Sequence, residues 1–228
     1  MKINIITVFY NSSHCYKDFF ELIDNAGVDF TLTIVDNASD MEHLEKLTPY
    51  LEGRNFRTIL NGKNLMFTPA VNQGLSIDSD YNLLLNPDCF LKEKGWLKSL
   101  ISNFENIKKD HNIGIAGVKL IGKDGLINHA GGFTLGDKMQ LQNNMHRGYG
   151  QNENMFGIAE NVSWVTGACF LISKETLETV GALPMGEKFE FQHYHSDREY
   201  CWLAESVGIK TFYIPVKVGH GHGKSSKK

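Results

Sequence analysis

The chain has 228 residues, 42% hydrophobic and 21% charged, with a formal net charge of −3. That suits one soluble domain with a full core, and the absence of a broad basic face argues against a nucleic-acid partner. Cys15, Cys89, Cys169 and Cys201 form no C-x-x-C pair, so reduced thiols in a cytoplasm are expected rather than disulfides or a cysteine zinc site.

The first ten residues hold too short an apolar run for a signal peptide and read as strand one, and no stretch reaches the roughly twenty apolar residues of a membrane helix. Asn11-Ser12-Ser13 offers caps to a helix whose face is Tyr16, Phe19, Phe20 and Ile23. A β-branched run over 30–35 then ends in Asp36-Asn37-Ala38-Ser39-Asp40. Leu44, Leu47 and Leu51 space a second helix, 56–60 gives a third strand, and 69–77 a third helix. Leu83-Leu84-Leu85 reads as a strand buried on both faces, and Asn86-Pro87-Asp88 stops it, because proline brings no amide hydrogen to a ladder.

Trp96, Leu97, Leu100, Ile101 and Phe104 make one face of a further helix, and a strand follows over 113–118. Alternation of this kind implies an α/β fold, a mainly parallel central sheet flanked by helices. From 119 to 160 periodicity is lost in favour of Gly, Asn and His, the composition of a functional or mobile loop. A strand over 162–172, a short helix over 174–180, a helix opened by Ser196 and stopped at Gly208, and a strand over 210–215 complete the pattern. The chain closes with His220-Gly221-His222 and a basic tail at 224–228, read as solvated, with weak attraction to anionic lipid as the lesser reading.

Asp36, Asp88 and Asp197 each follow a strand or open a helix, so the fold can gather them at the sheet edge where open α/β proteins bind ligands. A nucleotide with its metal ion suits that edge, since carboxylate and imidazole ligands accept Mg²⁺ or Mn²⁺ and the ion neutralises a diphosphate. Neither G-x-G-x-x-G nor a P-loop follows strand one, which argues against dinucleotide oxidoreductases and P-loop NTPases. Taken singly, each carboxylate also has a plainer reading: Asp36 as a helix cap or Asx-turn, Asp88 as a turn residue, Asp197 as a first-turn acid.

One ordered set of motifs carries more. It comprises Thr7-Val8-Phe9-Tyr10-Asn11, Ile34-Val35-Asp36-Asn37-Ala38-Ser39, Asn64 with Asn72-Gln73-Gly74, Leu84-Leu85-Asn86-Pro87-Asp88, His129-Ala130-Gly131-Gly132, His146-Arg147-Gly148, Trp164-Val165-Thr166-Gly167-Ala168-Cys169 and the closing histidines. In this order, over nearly the whole chain, it resembles the family-two glycosyltransferases of GT-A fold, and most closely the rhamnosyltransferase-like bacterial members.

The resemblance implies a single domain over 1–228, with a nucleotide-sugar-binding half at 1–118 and an acceptor and catalytic half at 119–228. It implies a metal-dependent, inverting transferase using Mn²⁺ or Mg²⁺ and a UDP- or dTDP-linked sugar. The acceptor would be a hydroxyl of a glycan or lipid-linked molecule in cell-surface polysaccharide synthesis, at the cytoplasmic face of the membrane. Position by position, Asp36 would bind the nucleobase, with Val8, Tyr10, Asn11, Asn64 and Asn86 lining the nucleotide pocket. Asp88 would hold the metal, with His220 and His222 reaching the metal or diphosphate. His129, His146, Arg147, Trp164, Thr166 and Gly167 would face acceptor or diphosphate, and Asp197 would be the general base. Tyr10 also has the plainer reading of a core aromatic.

The sequence departs from the family pattern at Ser196, where the family has Glu before the base; Ser196 and Glu199 are instead spaced as a capping box. Two rivals stand beside this reading. A sugar-1-phosphate nucleotidyltransferase needs a Gly-rich, arginine-containing loop after strand one, and Asn11-Ser12-Ser13-His14-Cys15 is not one. A catalytically silent nucleotide-sugar or glycan-binding module is favoured slightly by Ser196.

Overall fold

The leucine run folds as Tyr81–Leu85 (β4), buried at every position. Leu83 and Leu85 enter one hydrophobic cluster and Leu84 the other. Side chains alternate across a strand, so a strand covered on both faces must be apolar throughout. In this computed structural model, which describes residues 1–136, 144–185 and 195–221, the same two-sided burial runs through the centre of a ten-stranded sheet.

The amino-terminal half alternates as the sequence pattern requires: Ile3–Phe9 (β1), Tyr16–Asp24 (α1), Thr31–Asp36 (β2), Met41–Leu51 (α2), Phe56–Leu60 (β3), Phe67–Gly74 (α3), then β4. These strands pair in parallel in the order β3-β2-β1-β4. Cys89–Leu91 (β5), Trp96–Lys108 (α4) and Ile113–Ile121 (β6) follow. Next come Ile127–His129 (β7), Gly132–Thr134 (β8), Asn144–His146 (β9), Glu160–Val162 (β10), Cys169–Ser173 (β11), Lys174–Val180 (α5), Ser196–Ser206 (α6) and Lys210–His220 (β12).

The sheet continues β4-β11-β6-β12-β10, with β11 antiparallel to both neighbours and β6 parallel to β12. One core, built on Phe9, Phe19, Phe20, Trp96 and Phe104, lies under α1 and α4. The other, built on Ile6, Val71, Trp164, Phe170, Tyr200 and Tyr213, lies under α3 and α6. Removing one such buried leucine to alanine costs about 2–5 kcal/mol, which is why the strands tolerate so little polarity.

Four expectations change. The stretch 162–172 is two strands, β10 and β11, parted by a turning segment at 163–168 whose Gly167 amide and Ala168 carbonyl bond to other elements. Among its described residues the irregular stretch 119–160 holds the end of β6 and three short strands, β7, β8 and β9, of which β8 and β9 form an antiparallel pair, and it ends on the first residue of β10. The third helix spans 67–74 rather than 69–77, and ends where a Cβ on Gly74 would collide with Ile6 of β1. The last strand runs past Pro215 to His220, absorbing the missing amide hydrogen in a register shift between Ile214 and Lys217. Among the described residues no helix is long and apolar enough to cross a membrane.

Candidate active site

Asp36 ends β2 beside Phe9 of β1 and is buried. Its Oδ2 accepts the Ser39 amide at 3.0 Å, a local turn bond three residues on rather than a strict Asx-turn, while Oδ1 is buried with no hydrogen-bond partner among the described residues. A buried carboxylate oxygen left unpaired costs about 1–3 kcal/mol or more, so this atom is poised for a donor group from outside the chain. The turn reading and the binding reading of Asp36 thus use different oxygens.

The surrounding loops are held by side-chain amides. Asn37 Nδ2 donates to Asn64 Oδ1 at 2.8 Å, and Asn37 Oδ1 accepts the Leu65 amide at 3.0 Å, which fixes Asn64 in this corner. Asn11, at φ 51, clasps Asp40: its Oδ1 accepts the Asp40 amide at 2.8 Å and its Nδ2 donates to Asp40 Oδ2 at 3.1 Å. Left-handed backbone is within reach of Asn, whose short polar side chain bonds locally. Val8 is half-buried, and Tyr10 is 45% exposed, so Tyr10 is a surface aromatic at the end of β1 rather than a core one.

At the end of β4 the Asn86 amide donates to Ala168 O at 2.9 Å and its carbonyl accepts the Cys89 amide at 3.1 Å, closing the turn that carries Asp88. The chain then re-enters the sheet as β5, which pairs with β12 so that Cys89 faces His220. That pairing brings His220 Nε2 to 3.3 Å from Asp88 Oδ1, which is buried and lacks an aligned hydrogen bond. The Gly221 amide donates to Asp88 O at 3.0 Å. Burial pushes the Asp88 pKa up, but the His220 imidazole, the residue's own amide and His14 outweigh it and hold the carboxyl below its ordinary value.

An ionised carboxylate oxygen and an imidazole nitrogen converging at 3.3 Å suit Mn²⁺ or Mg²⁺. Among the described residues no group of three or more His, Cys, Asp or Glu could hold a metal, so water and substrate phosphates would complete the shell. His222 lies outside the described residues.

Asp197 stands in the first turn of α6, its Oδ2 accepting the Gly167 amide at 2.8 Å and its Oδ1 the Arg198 amide at 2.8 Å. Burial raises its pKa against those two amides, so this carboxyl holds a proton more readily than an ordinary aspartate. Gly167 and Ala168 join the two acidic sites: the Gly167 amide meets Asp197, while Ala168 O accepts from Asn86 and, at 3.3 Å, from Cys89 Sγ. The capping box does not form. Ser196 sits inside the helix after the cap residue His195, and its Oγ accepts the Thr68 hydroxyl of α3 at 2.8 Å instead.

Near Asp197 the chain gathers three of the expected ring residues. His129 Nδ1 lies 3.0 Å from His146 Nδ1, and both rings pack on Trp164 at 4.8 Å between centroids. Burial, His146 and His220 drive the His129 pKa well down, which keeps that imidazole neutral. His146 also lowers the Asp197 pKa through its charge, which places it in reach of that carboxylate. Thr166 is half-buried on the Trp164–Gly167 segment.

Arg147 is not in this group. It pairs with Glu160 and packs between the rings of Phe156 and Tyr213, at 4.5 and 5.3 Å, a structural berth that the adjacent His146 does not announce. Sequence reading passed over Arg198, which is buried against the Trp164 ring with Cζ 5.4 Å from its centroid. The available signal was a cation in the first turn of a helix, where the dipole disfavours it.

The family model for glycosyl transferase family 2 matches residues 4–181, a span containing Asp36 and Asp88 and ending before Asp197 and His220. The chain is 25% identical over 207 residues to the uncharacterized protein y4gI of Sinorhizobium fredii (strain NBRC 101917 / NGR234), covering 87% of this chain and 22% of that protein. Among solved structures it is similar to GalNAc-T7 with UDP, GalNAc and Mn²⁺, at TM-score 0.66, 17% identity and coverage of 97% of this chain and 43% of that one. The mannosyltransferase PcManGT of Pyrobaculum calidifontis, with GDP-Man and Mn²⁺, gives TM-score 0.65 and 13% identity over 98% of this chain and 58% of that one. S. aureus TarS with UDP-GlcNAc gives 0.58 and 16% over 100% and 62%. The chain therefore spans about a fifth of the curated relative and about half of the first two solved structures, and at these identities the structural likeness speaks for the fold alone. With the family match covering most of the chain and a curled α/β sheet of GT-A type, the chain belongs to glycosyl transferase family 2.

Proposed function

We propose that this chain transfers a glycosyl group from a nucleoside diphosphate sugar, UDP- or dTDP-linked, to a hydroxyl of a glycan or lipid-linked acceptor, with inversion at the anomeric carbon. The observation that carries this reading is the convergence of Asp36, Asp88 and Asp197 at one sheet edge, the last two linked through Gly167 and Ala168. The UDP, GDP-Man and UDP-GlcNAc named with the structural relatives support the donor class, and their Mn²⁺ supports a divalent ion. A role in cell-surface polysaccharide synthesis at the inner face of the membrane rests on the resemblance of the motifs.

Each residue then has a task. Asp36 Oδ1 accepts from the nucleobase, while Asn11 and Asn64, locked by their own hydrogen bonds, shape the pocket wall. Asp88 and His220 would hold the Mn²⁺ or Mg²⁺ ion, which when bound stabilises negative charge on the departing diphosphate. Asp197 takes the acceptor hydroxyl proton as that oxygen bonds to the anomeric carbon. The bond from that carbon to the diphosphate oxygen breaks, and its electron pair leaves with the nucleoside diphosphate.

Titration of UDP into wild type and Asp88→Asn, each with Mn²⁺ and with chelator, tests the donor side. Wild type should bind more weakly under chelation, and the variant should be weak and indifferent to metal. Equal affinity in all four conditions would remove Asp88 from donor binding.

A further inference from the structure

Arg198 is 8% exposed, yet among the described residues no carboxylate, carbonyl or hydroxyl accepts a hydrogen bond from its guanidinium. Its one partner there is the Trp164 ring. The neighbouring Asp197 carboxylate is turned to the amides of Gly167 and Arg198 itself, and no ion pair forms between the two side chains. A guanidinium drawn out of water without a counterion is destabilised, and the positive end of the α6 dipole adds to the penalty, while its nitrogens, none of them among the fully buried unpaired atoms, keep a path to solvent.

The deficit is shared by the residues around it. Trp164 Nε1, a group that can only donate, is buried with no acceptor among the described residues, and His129 Nε2 is buried without a partner as well. The Arg198 guanidinium and the His129 ring therefore lie against one indole whose own N–H is unpaired, while no anion of the described chain reaches them. Donor-side charge is dealt with elsewhere, at Asp88 and His220, across the Gly167–Ala168 segment.

We propose that Arg198 and Trp164 Nε1 form an oxyanion site on the acceptor side of Asp197, taking a phosphate or carboxylate that the acceptor carries near its reacting hydroxyl. The assignment to the acceptor rests on the reading of Asp197 given above. Guanidinium is suited to both groups, since its planar fork binds two oxygens at once.

Inorganic phosphate and, separately, acetate titrated calorimetrically into the full chain already saturated with UDP and Mg²⁺ test it. Either anion should bind with UDP in place, and the tighter of the two names the group on the acceptor. Arg198→Gln should weaken that binding at least about tenfold, the scale of a lost charge-assisted hydrogen bond, and leave UDP affinity unchanged. Without anion, Arg198→Gln should melt no lower than wild type, because it removes an uncompensated charge; a purely structural arginine would lower the melting temperature. Trp164→Phe, which keeps a ring and loses the N–H, should weaken anion binding several-fold and guards against a misfolded arginine variant. Wild-type anion affinity in both variants, no anion binding to wild type, or competition between phosphate and UDP would overturn the proposal. Failure of UDP itself to bind would count against the donor reading alone, and the anion titration on the free chain would still decide Arg198.

Discussion

Asp197 is asked to be charged enough to take a proton and buried enough to want one. Its two backbone amide bonds favour the ionised form, burial favours the neutral one, and burial prevails. Asp197→Asn should lower kcat and kcat/KM together by about 10²–10⁴-fold with donor affinity nearly intact, because a general base acts only as the acceptor proton moves. Glu199→Gln should turn over almost as wild type; loss there instead would move the base two residues along. The raised pKa also has a sign for stability. Folded protein binds the proton more tightly than unfolded chain, so this group stabilises the fold at low pH and loses that contribution as pH rises through the folded pKa. Wild type should therefore gain stability relative to Asp197→Asn as pH is lowered from 7 toward 4, with thermal unfolding as the readout, and a pH-independent difference would show that burial does not perturb this carboxyl.

The Trp164 segment and the β8–β9 pair act as one element. Gly132 N–H donates to Trp164 O at 2.9 Å, and a Cβ on Gly132 would collide with three indole atoms. The indole in turn carries His129, His146 and Arg198. Gly132→Ala should thus cost about 1–3 kcal/mol by overpacking and displace the ring on which the acceptor-side residues rest. Urea unfolding together with turnover measures it, and unchanged values of both would mean that the indole can move aside freely. A comparable dependence holds at β5: its three residues are what carry His220 to Asp88, so the metal-facing pair belongs to a strand pairing as much as to two side chains.

At the scale of the molecule, the sheet presents the ends of β1, β2 and β4 to one side, and the loops there keep a buried oxygen, Asp36 Oδ1, with no hydrogen-bond partner among the described residues, beside the Asp88–His220 pair. Groups left unsatisfied in the free chain make ligand binding a source of stability. UDP with Mn²⁺ at one hundred times its Kd should stabilise the fold by about 2.7 kcal/mol. For a chain of this size each kcal/mol corresponds to about 2–4 °C in Tm. Asp88→Asn should lose the Mn²⁺-dependent part of the shift; an identical shift in wild type and variant would place the ion elsewhere.

The alternation of strands and helices through β4, the double burial of the leucine run, and the positions of Asp36 at a strand end and Asp88 just past one were readable from sequence. Each rests on local rules: hydrophobic period, β-branching, and the interruption of a ladder by Asn, Pro or Asp. Tertiary structure alone decided the rest. It chose Thr68, 128 residues away, rather than the Ser196 helix end as partner for the Ser196 hydroxyl. It also set β11 antiparallel, sent Arg147 to Glu160 rather than to the site, paired β5 with β12, and buried Arg198 on Trp164. A polar side chain has several partners of similar local merit, and which one it meets depends on contacts whose loop-closure entropy only the complete packed core repays.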